Sequence, residues 1–350
     1  MLSNIKMKVP WRITFDTNPD QCNLNCIMCE EHSIYNKKKK LRNRVMDFKI
    51  IKKMVEETVD FGLKEIIPST MGEPLLYRDF RKMIDLIKMY GLKLNLTTNG
   101  TFPILGVNEW ASLILPIASD IKISINSSNK KIAENIMQGL NFEKQVMNIT
   151  KIVKFRDKIR KEGINNPSVT LQVTFMEQNI NNLKELLKFA IKLDVDRFKG
   201  HHLWITHNEI AEESLKRNKH SIERWNDLVD ELNIMSREIE LKNGKYIILD
   251  NIYKLNNLRR EQKIPSNYLC PFLGKEAWID WDGNFNVCCA PDRLRRSFGN
   301  FGNVKEANFN DLWNAKKYNN LISKWGDFSL CKDCNMRKPA RKIKRCADGN

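Results

Sequence analysis

The first residues of this sequence that could do chemistry are three closely spaced cysteines, Cys22, Cys26 and Cys29. Three and then two residues separate them, so one loop can wrap all three thiolates around a compact soft-metal centre. Three ligands suit a four-iron cluster in which one iron stays open to a substrate or cofactor. A structural zinc ion normally takes a fourth protein ligand, which His32 could supply. The spacing favours an iron–sulfur centre, with zinc as the alternative.

A second cysteine-rich region lies at the carboxyl-terminal end, where residues 264–350 hold six of the nine cysteines. Cys270 and Cys288 precede the pair Cys331-Lys-Asp-Cys334. Four thiolates could hold a tetrahedral zinc ion, but a zinc ribbon normally pairs two Cys-x-x-Cys knuckles, and only one is present. An odd cysteine number also argues against a secreted disulfide framework. We therefore predict a separate metal-binding module.

Alternating strand and helix patterns must position these cysteines. Between Trp11 and Trp204, β-branched or apolar runs alternate with segments of helical periodicity, as in βα units on a parallel sheet. Such units, joined by right-handed crossovers, curl into a barrel or partial barrel. Helices are predicted from a cap at Asp47 to Asp60 and over residues 183–193. The predicted strands are Ile13–Thr17, Glu65–Pro68, Leu92–Thr98, Asp120–Asn126, Val169–Met176 and Arg197–Trp204.

These patterns predict an α/β protein in three parts. Residues 1–211 form the barrel, and residues 212–263 form a charged, mostly helical connector with one strand, Tyr246–Leu249. Residues 264–350 form the small metal-binding domain, with a hairpin over Ala277–Val287 that turns at Asp282-Gly283.

The first cysteine cluster, placed after the first strand, resembles the signature of the radical S-adenosylmethionine (radical SAM) superfamily, whose fold is a partial (β/α)6 barrel. The resemblance implies that Cys22, Cys26 and Cys29 ligate a four-iron (4Fe-4S) cluster. In that family the cluster reduces S-adenosyl-L-methionine to methionine and a 5′-deoxyadenosyl radical, which abstracts a hydrogen atom from the substrate. Met28 occupies the slot that the family fills with an apolar or aromatic residue.

Met71-Gly72-Glu73-Pro74, after the second strand, resembles the family's Gly-Gly-Glu-Pro element, with Met71 replacing the first glycine. A glycine lets the chain approach a ligand closely and a glutamate can accept hydrogen bonds from an ammonium, so the resemblance implies contacts to the cofactor's amino group. Two further stretches, Thr97-Thr98-Asn99-Gly100 and Ser124-Ile125-Asn126, fall where the family places cofactor contacts. The predicted cofactor-binding residues are Gly72, Glu73, Pro74, Thr98, Asn99, Ser124 and Asn126.

The carboxyl-terminal cysteines resemble the family's auxiliary-cluster modules, named SPASM and twitch, in which a hairpin and a later loop supply thiolates. The resemblance implies a second 4Fe-4S cluster in the shorter twitch arrangement, with the ligands Cys270, Cys288, Cys331 and Cys334. Two cysteines remain, Cys289 and Cys346, and both are candidate catalytic donors of a hydrogen atom. Cys289 could instead be a buried core thiol, and Cys346 could displace one of the four ligands.

The end of the sixth strand carries candidate substrate contacts, His201, His202 and Trp204. Trp204 would stack on a sugar or apolar face, and the histidines would hydrogen-bond hydroxyls or move protons, with packing as the alternative role. This predicts a polar, hydroxyl-rich substrate that is epimerised or dehydrogenated. Modification of a ribosomally made peptide is the alternative activity, and a nonenzymatic nucleic-acid-binding metalloprotein is the alternative class.

The formal net charge is +17, from 59 Lys and Arg against 42 Asp and Glu, which favours anionic partners. Basic residues crowd at Lys37–Lys40 and Arg337–Arg345, where a solvated surface is the alternative. We also expect an electron donor such as flavodoxin or ferredoxin. No apolar run reaches the roughly 18 to 20 residues that span a bilayer, so we expect a cytoplasmic protein without a membrane partner.

Overall fold

The computed structural model describes residues 6–37, 43–68, 71–256 and 264–340. The larger part of the protein is an α/β barrel built on six strands. Each of these strands pairs in parallel with the next one along the chain. The predicted α/β class is thus confirmed, and the strand bounds shift by at most two residues. These strands are β1 (Arg12–Phe15), β2 (Glu65–Pro68), β3 (Lys93–Thr98), β4 (Ala118–Ser124), β5 (Ser168–Phe175) and β6 (Arg197–His202).

Helices connect the strands and cover the outside of the sheet. The predicted cap of the first helix is present, because the Asp47 side chain accepts a hydrogen bond from the backbone N–H of Lys49 at 2.9 Å. Leu183 begins the predicted helix before β6. The helices are α1 (Phe48–Thr58), α2 (Phe80–Met89), α3 (Gly106–Ile114), α4 (Lys130–Ile136), α5 (Phe142–Lys161), α6 (Leu183–Lys192) and α7 (Lys219–Glu238).

A further strand, β7 (Ile248–Asp250), extends the barrel sheet beyond β6. It pairs in parallel with β6, with Arg197 opposite Ile248. The sequence predicted a strand here inside a connector but did not predict its place in the barrel sheet. The segment has three residues, one of them exposed, so it lacks the long apolar run of a buried barrel strand.

The carboxyl-terminal region packs onto the barrel through its hairpin. Strand β9 (Glu276–Ile279) pairs with β10 (Phe285–Asn286) in antiparallel fashion and with β1 in parallel fashion. The nine-stranded order is therefore β10-β9-β1-β2-β3-β4-β5-β6-β7. Strands β8 (Tyr268–Leu269) and β11 (Lys338–Pro339) form a separate antiparallel pair. Four short helices complete this region: α8 (Asp292–Arg295), α9 (Phe309–Asn314), α10 (Lys316–Lys324) and α11 (Ser329–Lys332).

The barrel strands have one apolar face and one polar face. On β4, Ile121 and Ile123 are buried in the hydrophobic core shared with the helices. The alternate positions carry Asp120, Lys122 and Ser124 on the face that looks into the barrel. Barrels of this type usually fill their interior with branched apolar side chains, so a charged interior marks this barrel as a place for polar ligands. Within the described ranges, no helix is long and apolar enough to cross a membrane.

Candidate functional site

The three amino-terminal cysteines meet at the carboxyl ends of the barrel strands. They lie in the loop after β1 and line one wall of a cavity of about 200 Å³. The cavity wall also brings together most of the residues that the sequence predicted for cofactor binding. It comprises Cys22, Leu24, Cys26, Met28, Cys29, His32, Met71, Gly72, Glu73, Thr97, Thr98, Asn99, Ser124, Asn126 and Met137.

The chemistry of these thiols fits a bound cluster. Burial raises the pKa of all three, and it raises the pKa of Cys29 to about 11. Neighbouring thiolates would also repel one another, as Cys26 does with Cys22 and Cys29. Three thiols with raised pKa values at one cavity wall are poor anions by themselves and become thiolates when a metal centre compensates the charge. The donor set therefore suits a cluster with Cys22, Cys26 and Cys29 as ligands.

His32 shapes the cysteine loop through two hydrogen bonds. Its Nε2 lies 2.8 Å from the carbonyl oxygen of Pro19, so this nitrogen is the donor of a hydrogen bond. Its backbone N–H points to the Sγ of Cys29 at 3.3 Å. His32 thus holds the loop in shape.

Gly72 allows the segment after β2 to press against the cysteine loop. A Cβ atom at this position would lie 2.0 Å from the carbonyl oxygen of Asn18 and 2.7 Å from that of Gln21. The contact is completed by two hydrogen bonds, from the Glu73 N–H to Gln21 O at 2.8 Å and from Asn18 Nδ2 to Glu73 O at 2.9 Å. A glycine is therefore required by close approach of two backbones.

The carboxylate of Glu73 is buried and joins the cavity to the end of β3. Its Oε1 accepts from Thr98 Oγ1 at 2.8 Å and from the Leu75 N–H at 3.3 Å, and its Oε2 accepts from the Asn99 N–H at 2.8 Å. Burial raises the pKa of Glu73 to about 7, although these bonds favour the charged form. A carboxylate has about four acceptor positions, so it can still receive an ammonium group.

Of the remaining residues predicted to bind the cofactor, some line the cavity and one only stabilises the backbone behind it. Asn99 donates from Nδ2 to Asn23 Oδ1 at 2.9 Å, beside Cys22. Asn126 accepts from the Thr174 N–H at 2.9 Å, and Ser124 lines the cavity at the end of β4. Pro74 is not part of the cavity wall: it is buried behind Glu73 and begins a helical turn, so its role is to fix the backbone.

Five cysteines gather in the carboxyl-terminal region, Cys270, Cys288, Cys289, Cys331 and Cys334. The pKa of Cys331 is raised first by burial and then by Cys270, Cys288 and Cys334, so these thiols lie within electrostatic reach of one another. Backbone N–H groups two or three residues farther on donate to the sulfurs of Cys270, Cys288 and Cys334 at 3.4 Å each. Such N–H···S bonds tune the potential of iron–sulfur centres.

Cys289 lies in the same region but is not one of the four cysteines predicted to ligate the auxiliary cluster. Its thiol is hydrogen-bonded to Cys288, and this bond, followed by burial, raises the pKa of Cys289 well above its ordinary value. Among the described residues, no three His, Cys, Asp or Glu side chains are arranged to hold a single metal ion. Ligands of a four-iron cluster sit on different irons and therefore stand farther apart than those of one zinc ion. Cys346 lies outside the described residues.

The three residues predicted to contact substrate have three different placements. His201 lies on the inward face of β6, where its Nε2 is 3.5 Å from Thr174 Oγ1, and burial lowers its pKa to about 4. For His202 the predicted substrate contact has to be corrected, because its side chain faces away from the barrel interior. Its ring packs against Phe175 and Trp225 at centroid distances of 5.6 and 4.6 Å, on the helix side of the strand. Trp204 is half-buried just beyond the strand.

Two contacts bring the auxiliary cysteines to the barrel mouth. Asn335, next to Cys334, donates from Nδ2 to the carbonyl oxygens of His202 and Leu203 at 2.7 and 3.1 Å. On the other side, the carboxylate of Glu30 accepts from backbone N–H groups at the start of α8. The end of β6 therefore lies beside the auxiliary site.

The charged residues inside the barrel were missed by the sequence reasoning. They include Lys122, which is buried and donates to Asn95 Oδ1, and Lys199, which pairs with Asp250 at 3.8 Å. A signal was available, because polar residues at every second position of β4 and β6 are unusual in barrel strands.

The fold and the cysteine-lined cavity together define a class. A model of the radical SAM superfamily matches residues 19–190, and a model of the SPASM iron-sulfur cluster-binding domain matches residues 270–335. The chain belongs to the radical SAM superfamily and carries a SPASM-type iron–sulfur domain. Its cofactors are accordingly S-adenosylmethionine with a 4Fe-4S cluster, and an auxiliary iron–sulfur centre.

Known proteins resemble the chain over most of its length. The tungsten-containing aldehyde ferredoxin oxidoreductase cofactor-modifying protein of Pyrococcus furiosus is 25% identical over 341 residues, covering 91% of this chain and 85% of its own. SuiB of Streptococcus suis, bound to the precursor peptide SuiA, has a TM-score of 0.65 at 17% identity, covering 91% and 68%. The enzyme anSMEcpe with bound AdoMet has a TM-score of 0.66 at 16% identity, covering 94% and 86%. The last two show a shared fold.

Proposed function

We propose that this enzyme abstracts a hydrogen atom from a small, polar, hydroxyl-bearing molecule bound in the barrel, and that alcohol dehydrogenation is the outcome. The observation that carries the proposal is the polar interior directly below the cavity, where Lys122, Thr174 and His201 replace the usual apolar filling. When both are bound, the cluster and S-adenosylmethionine supply a 5′-deoxyadenosyl radical.

The residues of the chain then have distinct tasks. Cys22, Cys26 and Cys29 hold the first cluster, while Gly72, Glu73, Asn99, Ser124 and Asn126 form the pocket for S-adenosylmethionine. Glu73 would bind the ammonium of the cofactor, because its carboxylate is buried at the cavity wall with acceptor capacity left.

His201 is suited to remove a proton from the substrate hydroxyl. Its pKa of about 4 keeps the imidazole neutral near pH 7, so it can accept a proton. After the hydrogen atom has left the carbon, loss of one electron and of the hydroxyl proton completes a two-electron oxidation to a ketone. A carbonyl that is still protonated is strongly acidic, so a weak base is sufficient.

The electron needs an exit, and the auxiliary cysteine site adjoins the strand that bears His201. Asn335 hydrogen-bonds the end of β6, and Cys334 precedes it in the chain. We assign the auxiliary ligands to Cys270, Cys288, Cys331 and Cys334. The basic surface expected from the +17 charge would favour an acidic donor protein such as flavodoxin or ferredoxin for the first electron.

A small-molecule substrate is favoured over a peptide. The relative from Pyrococcus furiosus, which matches the chain over 341 residues, is named for modifying a cofactor. The similarity to SuiB, whose structure contains a bound peptide, concerns the fold. Epimerisation is a second candidate, because a fifth thiol, Cys289, lies among the four proposed ligands and could return a hydrogen atom.

The test uses the anaerobically reconstituted enzyme with S-adenosylmethionine and a reductant. We expect 5′-deoxyadenosine, with a marked increase when a fraction of small polar metabolites is added, and a product two mass units lighter than its substrate. Cys26→Ala is the negative control for radical formation. A product isomeric with its substrate, which gains one deuterium when turnover takes place in deuterated water, would replace dehydrogenation by epimerisation. A response to peptide fractions alone would overturn the small-molecule proposal.

A further inference from the structure

The lower part of the barrel interior holds more cations than carboxylates. Arg12 pairs with Glu65 and, at 3.1 Å, with Glu276. Arg197 pairs with Asp120 at 3.3 Å, and Lys338 and Lys199 share Asp250 at 2.7 and 3.8 Å. With Lys122 added, these described residues comprise five cations and four carboxylates.

Lys122 is the cation that this network leaves out. Its side chain is buried and its Nζ donates to the amide oxygen of Asn95, but within the part of the chain that the structure describes it forms no ion pair. Burial, followed by repulsion from Lys199, lowers the pKa of Lys122 to about 7. A buried ammonium group is costly unless an anion compensates it. The protein therefore maintains a site that an anion would stabilise.

Two buried hydrogen-bond donors face the same interior and lack a partner. The hydroxyl of Thr14 on β1 and the indole N–H of Trp278 on β9 have no hydrogen-bond partner among the described residues. The two residues are opposite one another in the sheet. Each lies two positions after a member of the Arg12–Glu276 ion pair, and side chains two positions apart share a face. Unpaired buried donors of this kind indicate a missing acceptor.

Lys122 lies directly below the cofactor cavity. Lys122 is opposite Thr97 in the sheet, and Thr97 is part of the cavity wall. Ser124, also in that wall, is two residues farther along the same face of β4, which corresponds to about 6.6 Å at the usual rise of roughly 3.3 Å per residue. A ligand anchored at Lys122 would extend upward into the place where hydrogen abstraction occurs.

We propose that Lys122, with Lys199, Thr14 and Trp278, binds an oxyanion of the substrate, a phosphate or a carboxylate, and so fixes the reacting carbon below the cavity. This inference rests on the proposed function, since it names the chemical class of the molecule that the barrel receives. It also provides Lys122 with an ion-pair partner, which the described residues do not supply.

The charge state of Lys122 gives the site a pH dependence. Arg12 on β1, Glu65 on β2, Asp120 on β4, Lys199 on β6 and Glu276 on β9 are the titratable groups around it. Below about pH 7 Lys122 is already charged, so an anion binds without taking up a proton. Above that pH, binding must also protonate the lysine, and affinity should fall by up to about tenfold per pH unit.

The experiment measures binding of sulfate and of acetate to the reconstituted enzyme by equilibrium dialysis. Sulfate stands for a phosphate ester and acetate for a carboxylate, and neither changes its charge between about pH 6 and pH 9, so the pH dependence belongs to the protein. We expect one bound anion per chain. The preferred probe tells which oxyanion the substrate carries.

Lys122→Met keeps the length of the side chain and removes its charge. It should weaken binding by about 30-fold or more and abolish the pH dependence, because one partner of a buried charge pair is lost. Lys192→Met, on the exposed end of α6, is the matched control and should bind as the parent does. If Lys122→Met is poorly folded by circular dichroism, Thr14→Val, which removes one hydroxyl, should still weaken binding.

Equal binding by the parent and both interior variants overturns the anion site. A site that passes this test while no alcohol is oxidised would leave the anion site standing and reject the proposed dehydrogenation. Conversely, dehydrogenation by Lys122→Met with an unchanged KM would reject the anion site alone.

Discussion

The carboxylate of Glu30 accepts a hydrogen bond from the backbone N–H of Asp292 at 2.7 Å. Glu30 directly follows Cys29, and Asp292 is the third residue after Cys289, so this bond joins the loops that carry the two cysteine sites. A second bond, from the Arg293 N–H at 2.9 Å, makes the contact bidentate. The side chain of Glu30 thus helps to fix the separation of the two sites.

Glu30→Ala should loosen this connection without unloading iron, because Glu30 is not a proposed ligand. Loss of a side-chain cap costs about 1 kcal/mol, so the melting temperature of the holoenzyme should fall by a few degrees. We expect more 5′-deoxyadenosine per product formed, since the electron exit is less well positioned. Glu209→Ala, at an exposed carboxylate, is the control, and an unchanged ratio of the two compounds would argue against coupling of the sites.

Two four-iron clusters per chain should give about eight irons and a similar count of sulfides. Replacing Cys22, Cys26 and Cys29 together by alanine should leave about four irons, because the auxiliary site is separate in the fold. Metal analysis and Mössbauer spectroscopy measure both numbers. Stoichiometric zinc beside about four irons in the parent protein would refute the auxiliary iron–sulfur assignment.

Much of this arrangement could be predicted because it is local. The strands β1 to β6 are recognisable from β-branched runs, and the spacing of Cys22, Cys26 and Cys29 indicates a cluster from one short loop. It was harder to predict which face of a strand each side chain occupies. His201 and His202 were both assigned to the site, although neighbouring residues of a strand face opposite sides, and the structure places His202 against Trp225.

Features that depend on contacts between distant parts of the chain could not be predicted from local sequence patterns. The hairpin strand β9 pairs with β1, which begins some 260 residues earlier, and no local pattern specifies that partner. Among the described residues Lys122 forms no ion pair, and this likewise follows from which carboxylates on other strands are already used by arginines. A parallel strand of three residues such as β7 carries too little apolar signal to be placed in a sheet.

Gly72→Ala should prevent proper formation of the cofactor site. The added methyl group would lie 2.0 Å from the carbonyl oxygen of Asn18, so either the cysteine loop or the segment after β2 must move. We expect loss of S-adenosylmethionine binding and reduced iron in the first cluster, measured by dialysis and iron analysis. Gly326→Ala, at a glycine with open space and no positive φ, tests whether any glycine replacement has this effect. Retention of cofactor affinity by Gly72→Ala would contradict the close approach.

Glu73→Gln should weaken S-adenosylmethionine binding while iron is retained. The change preserves the shape of the side chain but removes the negative charge facing the cofactor's ammonium, and a charged hydrogen bond contributes about 1.5 to 3 kcal/mol. The new amide N–H would also oppose a donor, either Thr98 or the Asn99 N–H. Calorimetric titration of the reconstituted variant measures the effect, and an unchanged affinity would mean that the segment is only a turn.

Cys289 tests how the substrate radical is resolved. Its thiol is hydrogen-bonded to Cys288, next to the proposed auxiliary ligands, where it could return a hydrogen atom to complete an epimerisation. A thiol exchanges its proton with solvent, so turnover in deuterated water would place deuterium at the reacting carbon if Cys289 is the donor. Cys289→Ala should then still cleave S-adenosylmethionine and abstract hydrogen but lose the deuterated product.

Cys346→Ala is the control: loss of deuterium in that variant alone would make Cys346 the donor. If the parent enzyme incorporates no deuterium, the thiol-donor mechanism is wrong, and oxidation of the radical through the auxiliary site becomes the better account.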